Sequence, residues 1–285
     1  MIGKPARPGL DAPQAAAGAL RPRPLRDLPS ALLAEARGVF TDIDDTLTRD
    51  GAIEPVALAA LRALQDAGIP VIAITGRPMG WSLPFAHAWP VAAVVAENGA
   101  VALIRDGDAL HTEYAQDAAT RARNAERLRA VAAMVLREVP GATLATDSVG
   151  RVTDIAVDHS EFAHLDTAAI ERVVAVMQRE GMNATVSSIH VNGWYGEHTK
   201  LSAARWMLQR LFGRELDAEL ARWVYVGDST NDQAMFSHFS LSVGVANLQR
   251  FAAQLHTWPS YITEGERGLG FAEVATRLLD ASRTA

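Results

Sequence analysis

From residue 38 onward the chain alternates short apolar runs with longer amphipathic stretches. Val39–Ile43, Val71–Ile74, Val91–Ala96, Trp223–Val226, Leu241–Val245 and Tyr261–Thr263 are brief, β-branched and aromatic, as strands buried on both faces are. Helical stretches separate most of them, near residues 54–67, 78–88, 199–212, 230–237 and 248–255, with a last one over 269–281. The helical period is plainest after Thr199, where Leu201, Ala204, Leu208 and Leu211 recur on one face. Buried strands alternating with helices predict an α/β fold, a doubly wound parallel sheet covered on both sides. Ligands meet such sheets beyond the C-terminal ends of the strands, so the chemistry is expected there.

Residues 101 to 196 break the rhythm. Val101–Arg105 and Ala109–Tyr114 flank Asp106-Gly107, a hairpin signal. A helix is predicted over 117–138, strands near 142–147 and 151–158, and a second helix carrying Ile170, Val173, Val174 and Met177. Strands near 183–189 and 190–195 close the segment. This pattern predicts an α+β module inserted into the core. The resulting division is a flexible arm (1–33), a Rossmann-like core in two pieces (34–100 and 197–285) and an inserted cap (101–196).

Composition narrows the setting. Of 285 residues, the longest unbroken apolar run is seven, Ala130 to Leu136, against the roughly 20 that a membrane helix needs. Membrane insertion is therefore not expected. There are no cysteines, which excludes disulfides, thiolate metal sites and cysteine nucleophiles, and makes a cytoplasmic setting the simple reading. Net charge is −6 with no long basic stripe, so nucleic acid is not an expected partner. The first thirty residues differ, holding six of the thirteen prolines and a charge of +3. Their composition is that of a tail too poor in apolar residues to order itself. Composition leaves the oligomeric state open.

Four polar clusters fall where core strands end. The first is Asp42-Ile43-Asp44-Asp45-Thr46, in which strand alternation puts Asp42 and Asp44 on one side. Carboxylates so crowded repel one another, and a divalent cation with oxygen ligands, magnesium by preference, would resolve the repulsion. An Asp-rich turn is the competing reading. The second is Thr75-Gly76-Arg77, a small hydroxyl and a glycine between strand and helix, suited to an oxyanion or to a helix cap. The third is Lys200 at the start of its helix. The fourth is Gly227-Asp228-Ser229-Thr230-Asn231-Asp232, more acidic than a capped turn requires.

Together these clusters resemble the haloacid dehalogenase superfamily, in particular the Cof-like phosphatases with a large inserted cap (subfamily IIB). The resemblance rests on Asp42-x-Asp44-x-Thr46, Thr75, Lys200 and Gly227-Asp228-Ser229-x-Asn231-Asp232 in that order, with Glu97-Asn98-Gly99-Ala100 as the turn before the insertion. It covers residues 38 to about 280. It implies that Asp42 attacks phosphorus to form an aspartyl phosphate, and that Asp44 protonates the leaving alkoxide and later deprotonates water. It implies magnesium held by Asp42, the main-chain carbonyl of Asp44, and Asp228. Thr75, the Gly76 N–H, Lys200 and Asn231 would hold the phosphoryl oxygens. Asp232 would orient Lys200 or a metal-bound water rather than bind the metal directly, and Thr46 would shape the turn. The second acid, Asp44, points to a phosphate ester rather than a haloacid, since an expelled halide needs no proton. The cap resembles those of sugar-phosphate phosphatases, so a small sugar phosphate is the expected substrate. A phosphomutase of the phosphomannomutase type is the alternative, and a non-enzymatic phospho-acceptor switch a weaker one.

Two further expectations concern substrate contacts. Arg77 lies at the cleft, where it would reach the substrate or form a salt bridge. If 188–194 is a strand, Ser188, His190, Asn192 and Trp194 share one face and Ile189 and Val191 the other. The apolar pair should then pack on the cap helices and turn His190 and Asn192 toward Asp42. An exposed sheet face without a ligand shows the same alternation.

Overall fold

The computed structural model describes residues 21–107 and 109–283. Numbered along the chain, β1 (Arg23–Pro24) and β2 (Gly38–Thr41) precede a small ribbon of β3 (Thr48–Arg49) and β4 (Ala52–Ile53). Then come β5 (Val71–Ile74), β6 (Ala93–Ala96), β7 (Val101–Asp106) and β8 (Ala109–Tyr114). The inserted segment holds β9 (Thr143–Leu144), β10 (Asp154–Asp158), β11 (Asn183–Val186) and β12 (His190–Trp194). The chain returns through β13 (Trp223–Gly227), β14 (Leu241–Gly244) and β15 (Tyr261–Ile262). The helices are α1 (Ser30–Ala34), α2 (Pro55–Asp66), α3 (Met79–Ala88), α4 (Ala118–Glu138), α5 (Thr167–Arg179), α6 (Lys200–Phe212), α7 (Leu216–Glu219), α8 (Gln233–His238) and α9 (Arg267–Arg283).

The central sheet runs β1-β15-β14-β13-β2-β5-β6-β7-β8 and is parallel as far as β6. Strand alternation sends successive side chains into two separate cores. Val39, Val71, Ala73, Val224 and Val226 join the core under α2 and α9, whereas Phe40, Ile72, Ile74, Trp223 and Tyr225 join the core under α6 and α8. In the second core the rings of Phe40 and Trp223 pack with centroids 4.9 Å apart, and each such fully buried side chain contributes about 1.5–3 kcal/mol. The expected doubly wound sheet is therefore present. Its strand β2, which leads to Asp42, sits between β13 and β5 at the middle of the sheet.

Two boundaries differ from the sequence reading. The hairpin at 101–114 does not open the inserted module: β7 and β8 extend the central sheet antiparallel from β6. Local turn chemistry specifies a hairpin but not the sheet edge it joins, and β6 offered an unpaired edge. The arm also ends earlier than 33. β1 pairs with β15, and Leu25, Leu28 and Leu33 are buried against α9 and its neighbours. Prolines suit that edge position, because an edge strand has one row of donors to spare. The remainder of the arm, residues 1–20, lies outside the described residues.

The inserted segment folds as an antiparallel sheet, β11-β12-β10-β9, with α4 and α5 on one face. Leu128, Val131 and Val135 of α4 and Val173, Val176 and Met177 of α5 pack there on Val157 and Val191. Asp154 faces Trp194, Ala156 faces Asn192 and Asp158 faces His190 across β10 and β12. These pairs take the opposite face, toward the core. Ile189 is the exception to the expected alternation. It lies in a tight turn where Ser187 N–H donates to the His190 carbonyl at 2.8 Å, and a pleat does not extend through a turn. Among the described residues no helix is long and apolar enough to cross a membrane.

Candidate active site

The C-terminal ends of β2 and β13 bring four charged side chains into one buried cluster. Asp42 follows β2, its N–H donating to the Val226 carbonyl of the neighbouring strand at 2.9 Å. Lys200 opens α6 behind a Thr199–Ser202 capping box, and its Nζ donates to Asp42 Oδ1 at 2.6 Å and Asp232 Oδ1 at 2.7 Å. The Asp232 carboxylate also accepts from Tyr225 Oη and from the N–H groups of Asp228 and Ser229. With four donors on it, Asp232 is committed to holding Lys200 and the turn after β13. Asp228 takes an Asn247 Nδ2 bond at 3.1 Å on Oδ2, while its buried Oδ1 has no partner.

Oxygens of Asp42, Asp228 and Asp232 lie within 4.8 Å of one another, in a group able to hold a metal ion. Three carboxylates around one ammonium leave negative charge uncompensated in a buried place. Burial, with Asp232 and Asp44 adding to it and Lys200 opposing, pushes Asp42 up to about 7. Burial and then the charges of Asp42 and Asp232 hold Asp228 well above the usual carboxylate range. Burial alone would lower the Lys200 ammonium, but Asp232 and Asp42 outweigh it and keep the group protonated. The orphaned Asp228 oxygen and the excess negative charge both fit a divalent cation.

Asp44 stands one step outward, with Arg77 Nε on its Oδ1 at 2.9 Å and Thr75 Oγ1 on its Oδ2 at 3.4 Å. Thr75 Oγ1 in turn accepts the Arg77 N–H at 2.9 Å. Arg77 is also the main tie to the inserted module. Its Nη2 and Nη1 grip Glu161 at 2.7 and 3.1 Å, and Nη1 reaches Asp147 at 3.2 Å. His190 Nε2 lies 3.0 Å from the same Glu161. Although burial raises the Glu161 carboxyl, His190 and Arg77 prevail and hold it at about 2. A second tie runs through the Gly76 carbonyl, which accepts from Asn192 Nδ2 at 3.1 Å and Arg151 Nη1 at 2.9 Å. A Cβ on Gly76 would come within 3.2 Å of the Asn192 amide, so the glycine permits this approach. A third is Glu97, whose carboxylate accepts from Met79 N–H on the core side and from Val152 and Thr153 N–H on the other.

Between the halves lie two adjoining cavities. The inner one, about 10 Å³, is lined by Asp42, Asp44, Asn231, His190 and Asn192 among others. The outer one, about 300 Å³, is lined by Asp44, Arg77, Glu161, Phe162, Arg250 and Arg267 among others. Asp44 borders both.

The structure thus brings Asp42, Asp44, Gly76, Arg77, His190, Asn192 and Asn231 to one cavity wall. Thr75, Lys200, Asp228 and Asp232 stand directly behind it. Thr46 lies in the turn, its N–H donating to the Ile43 carbonyl at 3.2 Å. Thr75 does not cap α3, whose N-cap is Pro78. Trp194 shares the face of His190 and Asn192 but lines neither cavity, its Nε1 donating to the His198 carbonyl at 2.9 Å. Sequence reasoning missed Asn247, Asp147, Arg151 and Glu161. None belongs to the four clusters at the strand ends, and their partners, Asp228 for Asn247, Arg77 for Asp147 and Glu161, and the Gly76 carbonyl for Arg151, show only on folding. Glu97 had a signal in the Glu97-Asn98-Gly99-Ala100 turn, where it and Asn98 adopt positive φ, but its reach into the module had none.

A parallel sheet whose central strands end in clustered carboxylates around a buried lysine is suited to holding a cation and handling charged oxygen groups. Comparison with known proteins makes this specific. The family profile of haloacid dehalogenase-like hydrolases matches residues 39–126. A phosphoglycolate phosphatase of Methanothermobacter thermautotrophicus is 25% identical over 250 residues, 85% of this chain and 99% of that protein. One of Pyrobaculum neutrophilum is 29% identical over 255 residues, 87% of this chain and 97% of that protein. Among solved structures, a HAD/COF-like hydrolase from Plasmodium vivax aligns with a TM-score of 0.62 at 15% identity, over 88% of this chain and 99% of the other. The sucrose-phosphatase of Synechocystis aligns at 0.61 and 15% identity, over 85% and 98%. Over residues 39–126 the chain is thus similar to the haloacid dehalogenase-like hydrolases, over most of its length it is similar to two proteins named phosphoglycolate phosphatase, and it shares the fold of the HAD/COF-like structure.

Proposed function

We propose that the protein hydrolyses a small phosphate ester, a sugar phosphate, through a phosphorylated Asp42, with magnesium as its cofactor. The observation that carries this reading is the placing of Asp42 against Lys200 in the inner cavity, with Asp44 at its boundary with the outer one. Asp42 attacks phosphorus, forming the Asp42–phosphorus bond as the bond to the ester oxygen breaks. Asp44 delivers a proton to that oxygen, then takes one from the water that hydrolyses the acyl phosphate. Lys200, Asn231, Thr75 and the Gly76 N–H hold the phosphoryl oxygens while charge moves across them. Asp42, Asp228 and the Asp44 carbonyl would hold magnesium, whose positive charge would offset repulsion between phosphate and carboxylate. The inserted segment, which we take to run from about residue 115 to 196, acts as the cap over the cleft.

Phosphoglycolate, named for both archaeal relatives, is the second reading of the substrate. A panel of sugar phosphates, phosphoglycolate and acetyl phosphate, assayed with magnesium, tests the proposal. Acid-quenched protein should carry an acid-stable, alkali-labile phosphate on Asp42. Phosphate release without any such adduct would reject the mechanism, and isomerised sugar phosphate without phosphate release would favour a mutase.

A further inference from the structure

Loop 158–163 of the inserted segment is rigid for a reason visible in its hydrogen bonds. Asp158 is buried, and its carboxylate accepts four successive backbone N–H groups, those of Ser160, Glu161, Phe162 and Ala163, at 2.9 to 3.1 Å. The loop is thereby wound around one side chain and presents Glu161 and Phe162 to the outer cavity. Phe162 is 70% exposed, an unusual place for an aromatic ring on a loop so firmly held. Asp44, the group beside the leaving oxygen in the reading above, opens onto this same cavity.

The charges of the cavity are already spoken for. The residues lining the two cavities include five carboxylates, Asp42, Asp44, Asp45, Asp50 and Glu161, against three guanidinium groups. Each guanidinium is paired: Arg77 with Asp44, Asp147 and Glu161, Arg267 with Asp45, and Arg250 with Glu266. An anionic leaving group next to Asp44 would meet Glu161 in the place on Arg77 that its own charge requires. A neutral one would find hydrogen-bonding groups on Glu161, Ser160 and Ser188, and an apolar ring face in Phe162.

We propose that the leaving group is an uncharged polyhydroxylated one seated in the outer cavity, with Glu161 rejecting anionic leaving groups and Phe162 supporting the sugar ring. This rests on the phosphatase reading and deepens it. Rejection by a placed like charge is a common source of specificity.

The test compares hydroxyethyl phosphate with phosphoglycolate, which have equal carbon chains but differ in the charge of the leaving group. The wild-type kcat/KM should favour hydroxyethyl phosphate by about tenfold or more, and Glu161→Gln should narrow that ratio by about tenfold. In Phe162→Ala the ratio of glucose 6-phosphate to hydroxyethyl phosphate should fall by about fivefold or more. Ratios within one preparation are insensitive to a partly folded variant. Wild-type preference for phosphoglycolate, or ratios unmoved by both variants, would overturn the inference while leaving the phosphatase reading standing. Absence of magnesium-dependent phosphate release from every ester, acetyl phosphate included, would instead reject the reading beneath it.

Discussion

Asp42 and Glu161 face the same cleft, yet burial pushes the first up to about 7 while His190 and Arg77 hold the second at about 2. The difference lies in how the two sides are built. On the core side the ends of adjacent parallel strands force Asp42, Asp228 and Asp232 together around a single lysine, so negative charge exceeds positive. On the cap side acids and bases are matched: Arg77 binds Asp147 and Glu161, and Arg151 binds Asp147 and Asp154 at 3.0 and 2.9 Å. An overcrowded carboxylate cluster calls for a cation and for an electrophile. A matched network instead defines a shape and holds two halves together. In the function proposed above, the core side carries the reaction and the cap side the selection.

The largest effect should come from removing Asp42, the proposed nucleophile. Asp42→Asn should cut turnover by at least about 10⁴-fold, a loss typical of nucleophile removal, with the melting temperature unchanged or raised because a buried negative charge has gone. Near-wild-type phosphate release from that variant would erase the contrast between the two sides. Stripping metal with EDTA should stop turnover, magnesium should restore it, and calcium, with its larger and looser shell, should not.

The metal should also show in stability, without any assay of activity. Asp42 binds its proton more tightly folded than unfolded, so between its ordinary value of 3.8 and about 7 the folded state carries the extra proton. Metal-free protein should therefore lose stability as pH rises through that window. Magnesium should raise the melting temperature more at pH 8 than at pH 5, where protons compete for the same oxygens. An equal rise at both would mean that the cation sits elsewhere.

Asp44 belongs to both sides, bonded to Arg77 yet bordering the inner cavity. Asp44→Asn should slow alkyl phosphates by about 10²–10⁴-fold and aryl phosphates, whose leaving groups need little protonation, by much less. Identical losses in formation of the phosphorylated protein would remove Asp44 as the acid.

The smallest effect concerns the segment between β12 and α6, away from the cleft lining. His198 is buried in the returning segment with neither ring nitrogen hydrogen-bonded, and burial lowers it to about 4. The unfolded chain takes up a proton near pH 6.5 and the folded one only near 4, so stability present above 6.5 is lost as pH falls between these values. At about 1.4 kcal/mol per unit this amounts to ~3 kcal/mol at most. Denaturant titrations at several pH values should find that His198→Phe lacks this acid-side loss, while kcat at neutral pH changes little.

Much of the core side is readable along the chain because its chemistry is local. Asp42 and Asp44 are two residues apart just beyond the end of β2, and Asp228, Asn231 and Asp232 share one turn, so closeness in sequence already keeps them near one another, although the chain turns at Asp44 rather than continuing the pleat. The apolar runs of β2, β5 and β13 likewise report burial on both faces, and with it the doubly wound sheet. Val191 packs on α5 as the β12 alternation predicts, because a pleat has a fixed period. What folding alone decided involves partners far apart in sequence. Glu161 meets Arg77 across 84 positions, Asn247 meets Asp228 across 19, and Asn192 meets Gly76 across 116. The hairpin at 101–114 read correctly as a hairpin, yet its attachment to β6 depended on which sheet edge lay free. Periodicity encodes which face of an element is buried. The identity of the surface that buries it, and of the charge that answers a lone loop carboxylate, emerges only when distant segments compete for the same space.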